Sequence, residues 1–233
     1  MKKYLLLLFA AALFGMIGCD KSTTDSSDPK KPVVPKASVT GPQTQSSDQH
    51  AQQANAFAEM VNGFANFASA YSSLPGTQNG NTWTYSYGQG GYSMTMTAVV
   101  ATDGSVTWKM VFNGQEPGDS VVYNNWTAME GTVSGDGKSG SWKIYHDNST
   151  VIAAQFDFAT AANGTVTSEL VVNNENGTLE GSYRFINNAD GSGEAYYYNG
   201  TVLAMKFVWA ANGAGSWWTY DTNGTETGTG IWS

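Results

Sequence analysis

The sequence predicts a mainly β protein: an antiparallel meander of about twelve strands, preceded by one amphipathic helix. Three observations carry this prediction. Asn-Gly recurs at 79–80, 113–114, 163–164, 176–177, 199–200, 212–213 and 223–224, and Asp-Gly at 103–104, 136–137 and 190–191. Such pairs signal two-residue hairpins, because a type I′ turn needs positive φ at both central positions. The segments between them alternate with period two. Tyr92-Ser-Met-Thr-Met-Thr-Ala98 and Val106-Thr-Trp-Lys-Met-Val-Phe112 put large apolar groups on one face and mainly Ser, Thr and Lys on the other. Finally, only 13% of residues are charged, aromatics also reach 13%, and all eight Trp lie beyond residue 80. That composition suits a turn-rich β domain with large side-chain surfaces.

Along the chain, residues 1–18 have the layout of a secretory signal, with Lys2 and Lys3 ahead of an apolar core from Leu5 to Ile17. That core is shorter than the roughly 17–25 residues of a transmembrane helix. Residues 19–47 read as a disordered linker, rich in Ser, Thr, Lys and Pro, with too little apolar surface to offset its ordering entropy. Residues 48–75 read as the helix. Phe57, Met60, Val61, Phe64, Phe67, Ala68 and Tyr71 recur at steps of three and four, Asp48 or Ser47 can cap the start, and Pro75-Gly76 stops it.

The β region, 81–233, repeats itself. Thr150-Val-Ile-Ala-Ala-Gln-Phe-Asp-Phe158 parallels Thr201-Val-Leu-Ala-Met-Lys-Phe-Val-Trp209, and both lead into Ala-Ala-Asn-Gly. Ser141 to Tyr145 parallels Glu194 to Tyr198. The pattern is three units of four strands, the third lacking its last strand. Thr82-Trp-Thr-Tyr-Ser-Tyr87 resembles the missing strand, so pairing of 82–87 with 225–232 is expected to close a barrel and remove both edges. An open or folded-over sheet is the alternative. The helix is expected to plug or cap the barrel.

Cys19, the sole cysteine, closes the run Met16-Ile17-Gly18-Cys19 behind the apolar core. This resembles the lipobox of bacterial lipoproteins, in which signal peptidase II cuts before the cysteine and the new terminus is acylated. The resemblance implies a lipid-anchored (palmitate-type) protein of the cell envelope. Asp20 resembles the inner-membrane retention signal of enterobacterial lipoproteins, but other bacteria read that position differently, so the choice of membrane stays open. Gly140-Ser-Trp-Lys-Ile-Tyr145 and Gly215-Ser-Trp-Trp-Thr-Tyr220 resemble MORN-type hairpin repeats, which implies a structural or interaction role.

The formal charge is −8, and from Asn81 onward 14 Asp and Glu face four Lys and one Arg. A nucleic-acid footprint needs clustered cations, so that partner is not expected. A histidine-based triad would have to use His146, which sits at a hairpin end, and no spacing supplies the ligands of a zinc site. No cofactor and no enzymatic activity are expected. The candidate ligand-binding residues are Trp108, Trp142, Phe156, Tyr183, Trp217 and Trp218, because twelve strands enclose more room than about eight, whose side chains fill the interior. The expected task is binding an apolar small molecule or an envelope protein. The alternative is a membrane-embedded barrel, whose strands alternate in the same way.

Overall fold

The computed structural model of the protein describes residues 31–32, 34, 38–44, 46–72, 74–118 and 120–233. The leader, Cys19 and the first part of the linker lie outside these residues.

The helical segment starts where its cap was expected. The Asp48 carboxylate accepts the N–H groups of His50 at 2.8 Å and Ala51 at 3.3 Å, satisfying two donors of the first turn. Helix α1 runs over Gln49–Ala65 and α2 over Phe67–Ser72. The single helix expected over 48–75 is thus two, divided at Asn66, whose side-chain amide bonds the Asn62 carbonyl at 2.8 Å. The line buried deepest on α1 is small: Ala51, Ala54, Ala58, Val61 and Ala65, at alternate steps of three and four. Small residues let the helix axis approach the sheet closely. Phe57, Met60 and Phe64 flank that line, half-buried against the core. The side chains of Phe67 and Ala68 lie outside the described part.

Thirteen strands follow: β1 (Gly76–Asn79), β2 (Thr82–Gln89), β3 (Tyr92–Val100), β4 (Val106–Gln115), β5 (Val122–Val133), β6 (Ser139–Tyr145), β7 (Ile152–Thr160), β8 (Val166–Asn173), β9 (Leu179–Asn187), β10 (Gly193–Asn199), β11 (Val202–Trp209), β12 (Gly215–Tyr220) and β13 (Glu226–Trp232). They form one antiparallel sheet in sequence order. The count is thirteen, not twelve, and the expected barrel is not closed. The extra strand explains why. β1 folds back through Gly80-Asn81 and pairs Gly76 to Tyr85 and Asn79 to Thr82. It takes the edge of β2 that β13 would have needed, and β13 pairs with β12 alone.

One face of the sheet is covered. Tyr85, Met94, Met96, Trp108, Met110, Trp142, Phe156, Leu170, Phe185, Phe207 and Trp209 all point to it and are at most 3% exposed. At about 4.8 Å per spacing, thirteen flat strands would span about 58 Å. Helix α1, at 17 residues, is about 26 Å long. Open sheets of more than about ten strands rarely stay uncurled.

The helix does not cover this face alone. Residues 31–32, 34 and 38–44, within the expected linker, lie across the sheet as a strap. At one end the Pro32 carbonyl accepts the Tyr85 hydroxyl of β2 at 3.1 Å, while the Lys31 ammonium bonds the Leu74 carbonyl at 3.1 Å. At the other, Thr44 reaches the Ser233 carbonyl beyond β13 at 3.5 Å. Val34 and Val39 are buried at 1% and 2% exposure, so this part of the chain belongs to the packed fold rather than to a linker. Two asparagines hold it. Asn62 of α1 accepts the Val39 N–H and donates to the Val39 carbonyl, both at 2.8 Å. Asn187 of β9 accepts the Thr40 N–H at 3.3 Å and donates to its carbonyl at 2.7 Å.

The turns keep their glycines; two-residue hairpins form at Gly80-Asn81 and Gly200-Thr201, but most of the others differ from the expected type. All ten glycines of the Asn-Gly and Asp-Gly pairs have positive φ, and none of the preceding residues does. At 101–105, 161–165, 174–178, 188–192, 210–214 and 221–225 the glycine N–H bonds the carbonyl three residues back, and that same residue's N–H bonds the carbonyl after glycine. This is a three-residue loop, a type I turn closed by a left-handed glycine. The acid or amide before glycine takes over part of the work: Asp103 accepts the Ser105 N–H and Asp190 the Ser192 N–H, both at 2.9 Å. Hydrogen bonds from those serines hold both carboxyls below the usual aspartate range. Asn113-Gly114 is no turn. It lies within β4, where the register to β5 shifts in a bulge.

Glycines also seat aromatic rings across strands. Gly131 pairs with Trp142, Gly140 with Phe158, Gly193 with Trp209, and Gly215 with Trp232. In each case a Cβ on the glycine would lie 2.2–2.5 Å from a ring atom. The aromatic lies over a strand with no side chain to displace it, a device known to rescue strand glycines. Gly131→Ala is therefore expected to destabilise the protein by about 1–3 kcal/mol through overpacking. Gly63→Ala, in the exposed part of α1 where a Cβ meets nothing within 4 Å, should stabilise it by about 0.5–1 kcal/mol. Urea unfolding of the two variants checks the opposite signs.

Candidate functional site

The expected ligand-binding residues separate by face. Trp108, Trp142 and Phe156 are 0%, 3% and 2% exposed. Trp108 lies between Tyr85 and Trp142, with ring centroids 6.2 Å away on both sides. These three residues fill the core. Tyr183 and Trp217 also point to the covered face, half-buried under α1. The Tyr183 ring is 5.1 Å from Phe57 and 4.9 Å from Tyr197. Burial, with a smaller contribution from Tyr197, pushes its hydroxyl up to about 12. Trp217 stacks on His50 at 3.6 Å with the rings 13° from parallel. The room that a twelve-stranded barrel was expected to offer a ligand is taken by α1 and these rings.

Trp218 alone of the six faces outward, and it has company there. Across five strands the register places Arg184, Tyr196, Lys206, Trp218 and Thr229 in one row on the open face. The Lys206 ammonium sits between two rings, 5.6 Å from the centroid of Tyr196 and 5.2 Å from that of Trp218. Such cation–π contacts contribute about 0.5–1 kcal/mol each at exposed sites. The Tyr196 hydroxyl donates to the Glu194 carboxylate. Burial first, then that bond and the carboxylate charge, push Tyr196 up to about 12. Tyr198 and Tyr220 stand one pleat further along the same face.

The open face is not aromatic everywhere. From β2 to β6 it carries mainly Thr and Ser, with Tyr145 as its one ring. There Lys109 pairs with Glu130 at 3.1 Å and Tyr145 donates to the same carboxylate at 3.0 Å. These two bonds, the lysine's first, hold Glu130 below the usual range. Arg184 and Lys206 differ from Lys109. Among the described residues neither makes an ion pair or a side-chain hydrogen bond. They are two of the five cations of the whole β region.

The aromatic strip has a signal in the sequence. Tyr196-Tyr197-Tyr198 and Trp217-Trp218 are runs of consecutive aromatics within strands, and a period-two strand must send neighbours to opposite faces. Such a run puts at least one ring outward whichever face is covered.

Other candidates carry less chemistry. His146 is buried in the β6–β7 hairpin, where its N–H bonds the Val151 carbonyl at 3.0 Å. Among the described residues no group of three His, Cys, Asp or Glu side chains could hold a metal ion. A polar cleft between the strap and α1 is lined by Ser38, Thr40, Gln43, Asn55, Glu59 and Asn62, among others. Among the described residues Glu59 is its one charged side chain.

The two kinds of tryptophan should respond differently to truncation. Trp108→Ala is expected to cost about 3–5 kcal/mol, as for a fully buried ring, and Trp218→Ala no more than about 1 kcal/mol. Chemical denaturation of both variants measures the difference. In comparison with known proteins, no family model matches this chain and no curated protein matches it.

Proposed function

We propose that the protein is a non-enzymatic binding module of the bacterial envelope, anchored to a membrane through acylated Cys19. It engages a ligand or envelope partner with the open face of β9–β13. The observation that carries this reading is the row Arg184–Tyr196–Lys206–Trp218, where two cations and two half-buried rings share the open face and neither cation makes an ion pair among the described residues. A binding surface there fits an interior already occupied by α1. The lipobox-like run supports the anchor: each buried acyl CH₂ contributes about 0.8 kcal/mol, and more than one chain makes attachment stable. The strap and α1 lie between that anchor and the sheet, so the chain enters the domain at its covered face and leaves the opposite face free.

A membrane-embedded barrel is less well supported. Spanning strands need closure and an apolar outer surface. Among the described residues β13 has a free edge, and from β2 to β6 the face away from the core carries mainly Thr, Ser and the Lys109–Glu130 pair.

Two measurements test the proposal. Cys19→Ser is expected to abolish labelling by a fatty-acid analogue and release the protein from membranes, and equal labelling of both forms would contradict the anchor. Detergent-solubilised protein should rebind to envelope preparations lacking it. Tyr196→Ala combined with Trp218→Ala should weaken that rebinding by about ten-fold or more, as loss of aromatic anchors does, without lowering the melting temperature by more than a few degrees. Undiminished rebinding would contradict the site.

A further inference from the structure

Building on the open-face reading, we propose that the ligand is a glycan, a polysaccharide strand lying across β10–β12 with its sugar rings stacked on Tyr196 and Trp218. A sugar ring has an apolar face of C–H groups and a rim of hydroxyls. It is bound by flat aromatic surfaces interleaved with hydrogen-bonding and charged groups. The row supplies them in that order: the Arg184 guanidinium, the Tyr196 ring, the Lys206 ammonium, the Trp218 ring and the Thr229 hydroxyl. Tyr196 and Trp218 are two strand spacings apart, about 9.6 Å, a distance that a disaccharide spans.

The electrostatics point the same way. Lys206 rests against both rings with its three donor hydrogens uncommitted among the described residues, so it can meet a hydroxyl or carboxylate held between them. Glu194 fixes the Tyr196 hydroxyl from the neighbouring row. The row runs across five strands, which suits an extended polymer better than an enclosed small molecule.

Other partners fit less well. The cores of protein–protein interfaces are depleted in charge, whereas this strip has lysine at its centre. A nucleic acid would meet a chain of net charge −8 with only two cations in the row.

The test is affinity electrophoresis of the full chain in mild detergent, through gels containing hydroxyethylcellulose, glycol chitin or polygalacturonate. At least one of these should retard the wild type. Trp218→Ala and Tyr196→Ala should each weaken the retardation by about ten-fold, and Trp218→Phe should retain most of it. Lys206→Met should reduce retardation by polygalacturonate more than by the neutral polymers. Retardation by none of the three overturns the proposal, as does equal retardation of wild type and Trp218→Ala. If no polymer binds while envelope rebinding still depends on Trp218, the glycan is wrong and the binding face stands. If self-association depends on Trp218 instead, the ligand is a second copy. If neither glycan nor envelope binding depends on Trp218, both readings fail.

Discussion

Two asparagine side chains, Asn62 on α1 and Asn187 on β9, close on the adjacent residues Val39 and Thr40. Each behaves as a peptide group, taking an N–H and giving one to the carbonyl of the same residue. A strap running across a sheet has no strand neighbour to pair with. Its buried N–H and C=O groups would each cost about 1–3 kcal/mol if left without partners. The amide carries an acceptor and a donor side by side, so it can answer both groups of a residue at once. With the strap fixed, Val34 and Val39 are buried, α1 is held in register over the sheet, and the apolar groups of β2–β13 are removed from water. The open sheet has one closed face because the strap and α1 supply it.

Glycine does two separate jobs in that sheet. In the three-residue loops it takes the left-handed position, and the N–H after it is accepted by the residue before glycine (Asp103, Asn163, Asp190, Asn212) or by the residue that starts the loop (Asn174, Asp221). Within strands it gives up its side chain so that Trp142, Phe158, Trp209 or Trp232 can lie over the neighbouring backbone. The second use explains how so many large rings fit a single layer. It also explains why the repeats keep a glycine at the start of β6, β10 and β12.

Much of the fold was legible in the sequence, and the misses have physical reasons. The cap at Asp48, the start of α1 and most strands follow from local chemistry: a carboxylate before an apolar stripe, and period-two alternation between glycines. Strand β1 was missed because Gly-Thr-Gln-Asn carries no alternation, although Asn79-Gly80 marked its turn. That short strand overturned the closure, since the repeat argument concerned which strand resembles which and not which edge was free. The strap was read as linker because Val34 and Val39 are isolated in polar sequence, and side chains far away in the chain satisfy its backbone. Turn type was misjudged at the six three-residue loops because Asn-Gly serves both the two-residue turn and the three-residue loop, and only the register between flanking strands separates them. Of the expected site residues, Trp108, Trp142 and Phe156 are core and Trp218 is outward. Alternation says that Trp217 and Trp218 face opposite ways, but not which of the two the helix covers.

The strap and α1 thus complete one face of the fold, and the row from Arg184 to Thr229 stands on the other. Native-state hydrogen exchange of the intact protein tests this division most directly, because it reports the opening free energy of each amide. If the strap and α1 complete the core, the amides of Ala58 and Val61 open with the same free energy as those of Met110 in β4 and Leu170 in β8. All of them then exchange only through global unfolding. Exchange of the α1 amides at an opening free energy several kcal/mol lower, with Met110 and Leu170 still protected to the global limit, would contradict the account. It would mean that the sheet stands without the layer said to complete it.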